Sequence, residues 1–210
     1  ILLAGGGLGN AVLFSIGKAF RAKNSKVLYF AAYRKLEDRY KTEEIEEAAD
    51  IVIWCCEEGK LSTNRKQDKT FHGNIIEAIV HYAMEPENNI KLSNIDRIIA
   101  IGSSNMMNAI NEARKTLLKP FLKQNHVGVA SINSPMQCMM KGICAQCLQK
   151  HLDTNSNKEY YIYSCREQDQ DMDKVDFRNL NQRLSQNSLQ EKLSKLWVEY
   201  LLNNQNLKII

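Results

Sequence analysis

Four of the six cysteines fall within the 28 residues from Cys138 to Cys165, spaced C-x5-C-x2-C-x17-C. Four thiolates can complete one tetrahedral zinc site or hold both irons of a [2Fe-2S] cluster. Cys144 and Cys147 form a Cys-x-x-Cys pair that can chelate from one tight turn. Lys141-Gly142 would let the backbone wrap so that N–H groups face the inorganic sulfide. Disulfides, or four ordinary buried or free thiols, are plainer uses of the same residues. Cys55 and Cys56 end an apolar run and read as inert core, although the Glu57-Glu58-Gly59 turn after them faces the expected ligand edge. His72, His81, His126 and His151 show no metal spacing, and no nucleophile–histidine–acid constellation is visible.

A second chemical stretch is Gly5-Gly6-Gly7-Leu8-Gly9-Asn10, which follows the apolar run Ile1-Leu2-Leu3-Ala4 and precedes a helical pattern. Glycines let a strand-to-helix turn adopt positive φ and let phosphate approach the backbone, and the helix N-terminus adds free N–H groups. Asn10 and Ala11 stand where a third glycine of GxGxxG is expected. A tight turn with no ligand is the simpler reading. After the next strand comes Tyr33-Arg34-Lys35 with no carboxylate for a ribose, so Arg34 would meet a 2′-phosphate and favour NADP over NAD. A solvated basic turn fits equally. Gly102-Ser103-Ser104-Asn105-Met106-Met107 repeats the strand, small residues and helix start, with Ser103 or Ser104 as the cap.

These residues need a scaffold, and periodicity supplies one. Apolar strands at Ile1–Ala4, Lys26–Ala32, Ile51–Cys55, Ile98–Ile101 and Val127–Ile132 alternate with helical patterns at 11–23, 43–47, 74–83 and 105–118. The alternation predicts an α/β fold over residues 1–132: a parallel five-stranded sheet with helices on both faces and ligands at the strands' carboxyl ends. A cysteine-rich loop over 133–166 and an amphipathic helical tail over 167–210 would follow. In the tail, Leu180, Leu184, Leu189, Leu193, Leu196, Trp197 and Leu201 recur at helical spacing, with a break expected near Asn187-Ser188. The tail packs on the parent fold or serves as a docking or homo-oligomer helix.

The 210 residues are 44% hydrophobic and 25% charged, an ordinary globular composition with room for one core and a small appendage. A net charge of +4, from 28 basic and 24 acidic residues, is too mild and scattered to argue for nucleic acid or a membrane surface. No apolar run approaches the roughly 20 residues of a membrane span, and no signal-peptide pattern precedes the fold. The thiols are therefore expected in a reducing cytoplasm. The chain starts on a strand without methionine, as a piece of a longer protein would.

The glycine turn, Tyr29-Phe30-Ala31-Ala32-Tyr33-Arg34, the Gly102–Met107 turn and the cysteine cluster occur in the order seen in the ferredoxin–NADP reductase superfamily. The chain most resembles the dihydroorotate dehydrogenase electron-transfer subunit type. Ser134-Pro135-Met136-Gln137-Cys138-Met139-Met140-Lys141 and Cys144-Ala145-Gln146-Cys147 also look like the carboxyl end of fusions with a glutamate synthase small-subunit-like flavoprotein. The resemblance implies an NAD(P)H-linked oxidoreductase fragment, inactive by itself, whose FAD sits mainly on an upstream domain of the same polypeptide. It further implies a second redox domain or subunit as partner. Gly6, Gly7 and Gly9, with Leu8 and Asn10, would cradle pyrophosphate. Gly102, Ser103, Ser104, Asn105 and Met106 would border the nicotinamide, and Cys138, Cys144, Cys147 and Cys165 would ligate iron. Ile101-Gly102-Ser103 replaces the family's usual Cys-Gly-Pro, and the seventeen-residue gap before Cys165 is longer than the family's. The rival from another class is a zinc-stapled, non-catalytic binding module with a vestigial nucleotide site.

Overall fold

The computed structural model describes residues 1–132, 138–153 and 156–204, with 186–191 and 204 as backbone only. Asn133 to Gln137, where the cysteine-rich loop was expected to start and where part of its motif falls, lie outside the described residues. In chain order the elements are β1 (Leu2–Gly6), α1 (Asn10–Arg21), β2 (Leu28–Tyr33), α2 (Thr42–Ala48), β3 (Ile51–Cys56), β4 (Lys69–His72) and α3 (Ile75–Met84). Then come β5 (Arg97–Ile101), α4 (Ser104–Lys115), β6 (Val127–Ser131), β7 (Leu148–Leu152), β8 (Glu159–Tyr163), β9 (Asp169–Asp171) and α5 (Phe177–Asn204).

One sheet runs β4-β3-β2-β1-β5-β6-β9, parallel except for β9, which lies antiparallel on β6. The sheet has seven strands where five were expected. β4 pairs with β3 from Ile53↔Lys69 to Cys56↔His72, and β9 pairs with β6 from Val129↔Asp171 to Ser131↔Asp169. Neither added strand carries an apolar run, because each lies at an edge of the sheet. The acidic stretch after Cys165, expected to lead directly into a helical tail, supplies β9.

Inside the sheet, β1 is held by Leu2↔Leu28 on one side and Leu2↔Ile98 on the other. Alternate residues serve opposite faces. Leu2 and Ala4 join Phe30, Ile53 and Ile98 in the core under α3 and α4, while Leu3 joins Tyr29, Val52 and Trp54 under α1 and α2. Strands buried on both faces read as continuous Leu/Ile/Val runs, as these do. Strand order reverses direction between β1 and β5, so their carboxyl ends flank the crevice where open α/β sheets take ligands.

Helix caps fix where the chain turns back. Asn74 Oδ1 accepts from the Ile76 and Glu77 amides at 3.0 Å each, and Glu77 Oε2 accepts from Asn74 N at 3.1 Å, a capping box that starts α3. α5 is continuous through Asn187 and Ser188, where a break was expected. Its first turns bury Phe177 and Leu180 in the core, while Leu193, Leu196 and Trp197 are exposed. Among the described residues, no helix is long and apolar enough to cross a membrane.

Candidate functional site

The glycine turn is a short 3-10 segment, Gly7–Gly9, between β1 and α1. Gly7 has φ +52°, a conformation glycine adopts without the steric cost of a Cβ. Gly9 crosses the next turn so closely that a Cβ there would lie 2.1 Å from the Ile101 carbonyl oxygen. Asn10 is fully buried, and its side chain locks the turn from below. Its Nδ2 donates to Gly7 O at 3.1 Å and Ala32 O at 3.4 Å, while the Tyr29 hydroxyl donates to its Oδ1 at 3.2 Å. Burial pushes the Tyr29 phenol far above the usual tyrosine range, so it stays a neutral donor. From the outer side, the Tyr40 hydroxyl donates towards Gly7 O and Leu8 O, each at 3.2 Å.

Ser103 is the N-cap of α4, its Oγ accepting from Met106 N at 3.2 Å. Ser104, the other candidate cap, instead donates its hydroxyl to Asn181 Oδ1 on α5. Two open clefts meet here, sharing Gly6 and Ser103. The larger, about 920 Å³, runs from Gly6 and Gly7 past Asn105 and Met106 to Arg34 at the end of β2. The smaller, about 570 Å³, lies among Leu8, Gly9, Gly102 and Ser104, with Leu180 and Leu184 of α5 as one wall. The expected cofactor residues therefore converge on one edge of the sheet, except that the Asn10 side chain turns into the fold.

Sequence reading gave no pocket role to Glu77, Leu180, Leu184 or Gln168, which line these clefts, because each comes from a distant stretch that only the fold brings to the edge. Arg34 is exposed at the rim. Three nearby carboxylates are engaged: Asp38 Oδ2 accepts from Lys35 N at 3.1 Å, Glu37 pairs with Lys35 Nζ at 3.5 Å, and Glu77 caps α3.

Between Cys147 and Cys165 lie β7 and β8, an antiparallel pair whose base joins Leu148 to Tyr163. The Cys147 carbonyl accepts from both Ser164 N and Ser164 Oγ at 2.9 Å. This registry brings the Cys147 and Cys165 sulfurs to 3.0 Å. The Cys144 thiol and main chain lie within reach of the Cys138 sulfur. Backbone N–H groups of Cys144 and Ile143, then the Cys144 thiol and the Lys141 N–H, hold the Cys138 thiol down at about 6. Left-handed Met139, Met140 and Ala145, with Gly142 at φ +68°, wrap this segment. The Cys147 thiol, burial and the Cys147 and Cys138 charges push Cys165 up to about 11. Among the described residues, no three His, Cys, Asp or Glu side chains gather round one point as a metal site. Cys55 and Cys56 are buried at the end of β3, and burial raises the Cys55 thiol.

No family model matches the chain. Over 104 residues, 50% of the chain, it is 42% identical to an uncharacterized protein of Rickettsia prowazekii (strain Madrid E), and it spans 13% of that protein's length. Its fold matches, at TM-score 0.68 and 19% identity, a chain in the structure of an NADH-dependent reduced ferredoxin-NADP oxidoreductase that gave insights into flavin-based electron bifurcation. That match covers 96% of this chain and 62% of the other. At this identity the likeness is one of fold.

Proposed function

We propose that the chain is the pyridine-nucleotide-binding and electron-transfer module of an NAD(P)H-linked flavin and iron–sulfur oxidoreductase of the ferredoxin–NADP reductase type. The observation that carries this is the convergence of thiols in one short segment, with the Cys147 and Cys165 sulfurs 3.0 Å apart and the Cys144 thiol within reach of Cys138, beside a sheet with an open crevice at its switch point. A [2Fe-2S] centre takes two thiolates per iron, whereas mononuclear zinc takes four round one point. The backbone N–H groups around the Cys138 sulfur suit either centre, and the resemblance to the ferredoxin–NADP reductase type favours the two-iron one.

In this reading the pyrophosphate lies against Gly6, Gly7 and the amides that open α1, where helix N-termini favour anions. Asn10 holds that turn rigid, and Gly9 keeps it against the β5–α4 turn. Arg34 takes the 2′-phosphate of NADP. Gly102, Ser103 and Met106 border the nicotinamide, and the apolar wall of Leu180 and Leu184 keeps water from the ring's other side. Cys138, Cys144, Cys147 and Cys165 hold the cluster, which supplies one-electron chemistry when bound. The flavin belongs to a domain outside this chain, and a second redox domain or subunit exchanges electrons with the cysteine centre.

The test is metal and sulfide analysis of anaerobically purified protein. About two irons and two sulfides per chain, lost when any one of the four cysteines becomes serine, support the reading. Stoichiometric zinc without sulfide gives the chain to the zinc-stapled binding module instead.

A further inference from the structure

α5 leaves the sheet beside the cysteine loop, and one of its turns touches both halves of the candidate site. Leu180 and Leu184 wall the smaller cleft, Asn181 accepts from Ser104, and Arg183 donates from its Nη2 to the Gln146 carbonyl. Gln146 lies between Cys144 and Cys147. Residues three apart on a helix are neighbours, so Arg183 stands next to Leu180 of the cleft wall. The loop is otherwise tied to the hairpin at Cys147, through Ser164.

We propose that Arg183 is a positioning residue for the cysteine centre: it fastens the Cys144–Cys147 turn to α5 and places a permanent positive charge on that turn. The proposal rests on reading the four cysteines as an iron–sulfur site. Arginine suits the task because its guanidinium stays charged at every physiological pH and presents donors in a rigid fork. Half-buried between helix and loop, that charge is screened less than a fully exposed one. A fixed cation favours the form of the centre with more negative charge, which is the reduced form. The same hydrogen bond sets the distance between the cysteines and the cleft, because both are anchored to one helical turn.

Arg183→Ala, Arg183→Gln and Arg183→Lys in the intact protein separate charge from hydrogen bonding. Two quantities are read: the midpoint potential of the iron–sulfur signal, and the alkylation rates of Cys144 and Cys147 by iodoacetamide in protein stripped of metal. Arg183→Ala lowers the electron affinity threefold to tenfold, the upper figure being about 59 mV for one electron. It also speeds alkylation several-fold by loosening the turn. Arg183→Lys restores the potential, and Arg183→Gln restores slow alkylation without restoring the potential. A wild-type potential and wild-type alkylation in Arg183→Ala overturn the proposal. If the protein carries no iron, alkylation decides alone: faster alkylation in Arg183→Ala upholds the positioning role while the iron–sulfur reading fails, and unchanged alkylation ends both.

Discussion

The Tyr29 hydroxyl donates to Asn10 Oδ1 across 3.2 Å, beneath the glycine turn and out of contact with solvent. Asn10→Ala removes that acceptor along with the donor to Gly7 O and Ala32 O. A buried polar group left unpaired costs about 1–3 kcal/mol, so urea unfolding should show a loss in at least that range. Adding Tyr29→Phe to Asn10→Ala should recover part of it, because removing both partners is cheaper than orphaning one. A double variant less stable than the single would show that the main-chain carbonyl of residue 10, which also accepts from the hydroxyl at 3.4 Å, still holds it.

Gly9→Ala should destabilise more than Gly7→Ala. The first sets a Cβ 2.1 Å from a backbone oxygen, while the second meets open space and incurs only the left-handed backbone penalty. That penalty is about 1–2 kcal/mol. Thermal unfolding of the two variants gives the order, and equal losses would mean the Ile101 contact yields easily.

Arg34→Ala should raise the Michaelis constant for NADPH about tenfold or more in the complete enzyme and leave NADH nearly unchanged. A charge-assisted contact to the 2′-phosphate amounts to about 1.5–3 kcal/mol. Asp38 and Glu37, the acids able to take a ribose hydroxyl, are held by Lys35. A wild type that prefers NADH would transfer the role to one of them.

The support that Cys138 and Cys165 give to metal-free protein should together be greatest near pH 9. The Cys138 thiol falls from an ordinary 9.0 to about 6, so its thiolate supports the fold above 9, less so as pH drops, and not at all well below 6. Cys165 moves the other way, from 9.0 to about 11, and its support disappears as pH rises through 11. Urea midpoints under reducing conditions give the profile, and Cys138→Ser should erase its acid limb. Mapping by iodoacetamide should find Cys138 half-reactive near pH 6. A midpoint between 8 and 9 would show that the loop's N–H groups do not reach the sulfur.

The five inner strands were legible because burial on both faces leaves nothing but apolar residues, as in Ile51-Val52-Ile53-Trp54. Lys69-Thr70-Phe71-His72 and Asp169-Gln170-Asp171 escaped notice because edge pairing decides them, and pairing with a distant strand leaves no local signal. Asn187 and Ser188 suggested a helix break. Their intrinsic cost in a helix is only a few tenths of a kcal/mol each, too little to interrupt α5. The glycines and cysteines stood out in the sequence by type and spacing. That Asn10 turns inward, and that α5 walls the cleft, follows from contacts with Tyr29 and Ser104 far off in sequence.

The hairpin separates two kinds of distance. Cys165 is held to Cys147 by the pairing of Leu148 with Tyr163, so the number of residues in between does not set the distance between the sulfurs. Residues added beyond Leu152 and before Glu159, at the far end of the hairpin, lengthen the gap and leave the sulfurs where they are. A search for such centres by fixed cysteine spacing will therefore overlook relatives whose hairpins are longer or shorter. The hairpin's far end is also a natural place to insert a reporter without disturbing the centre.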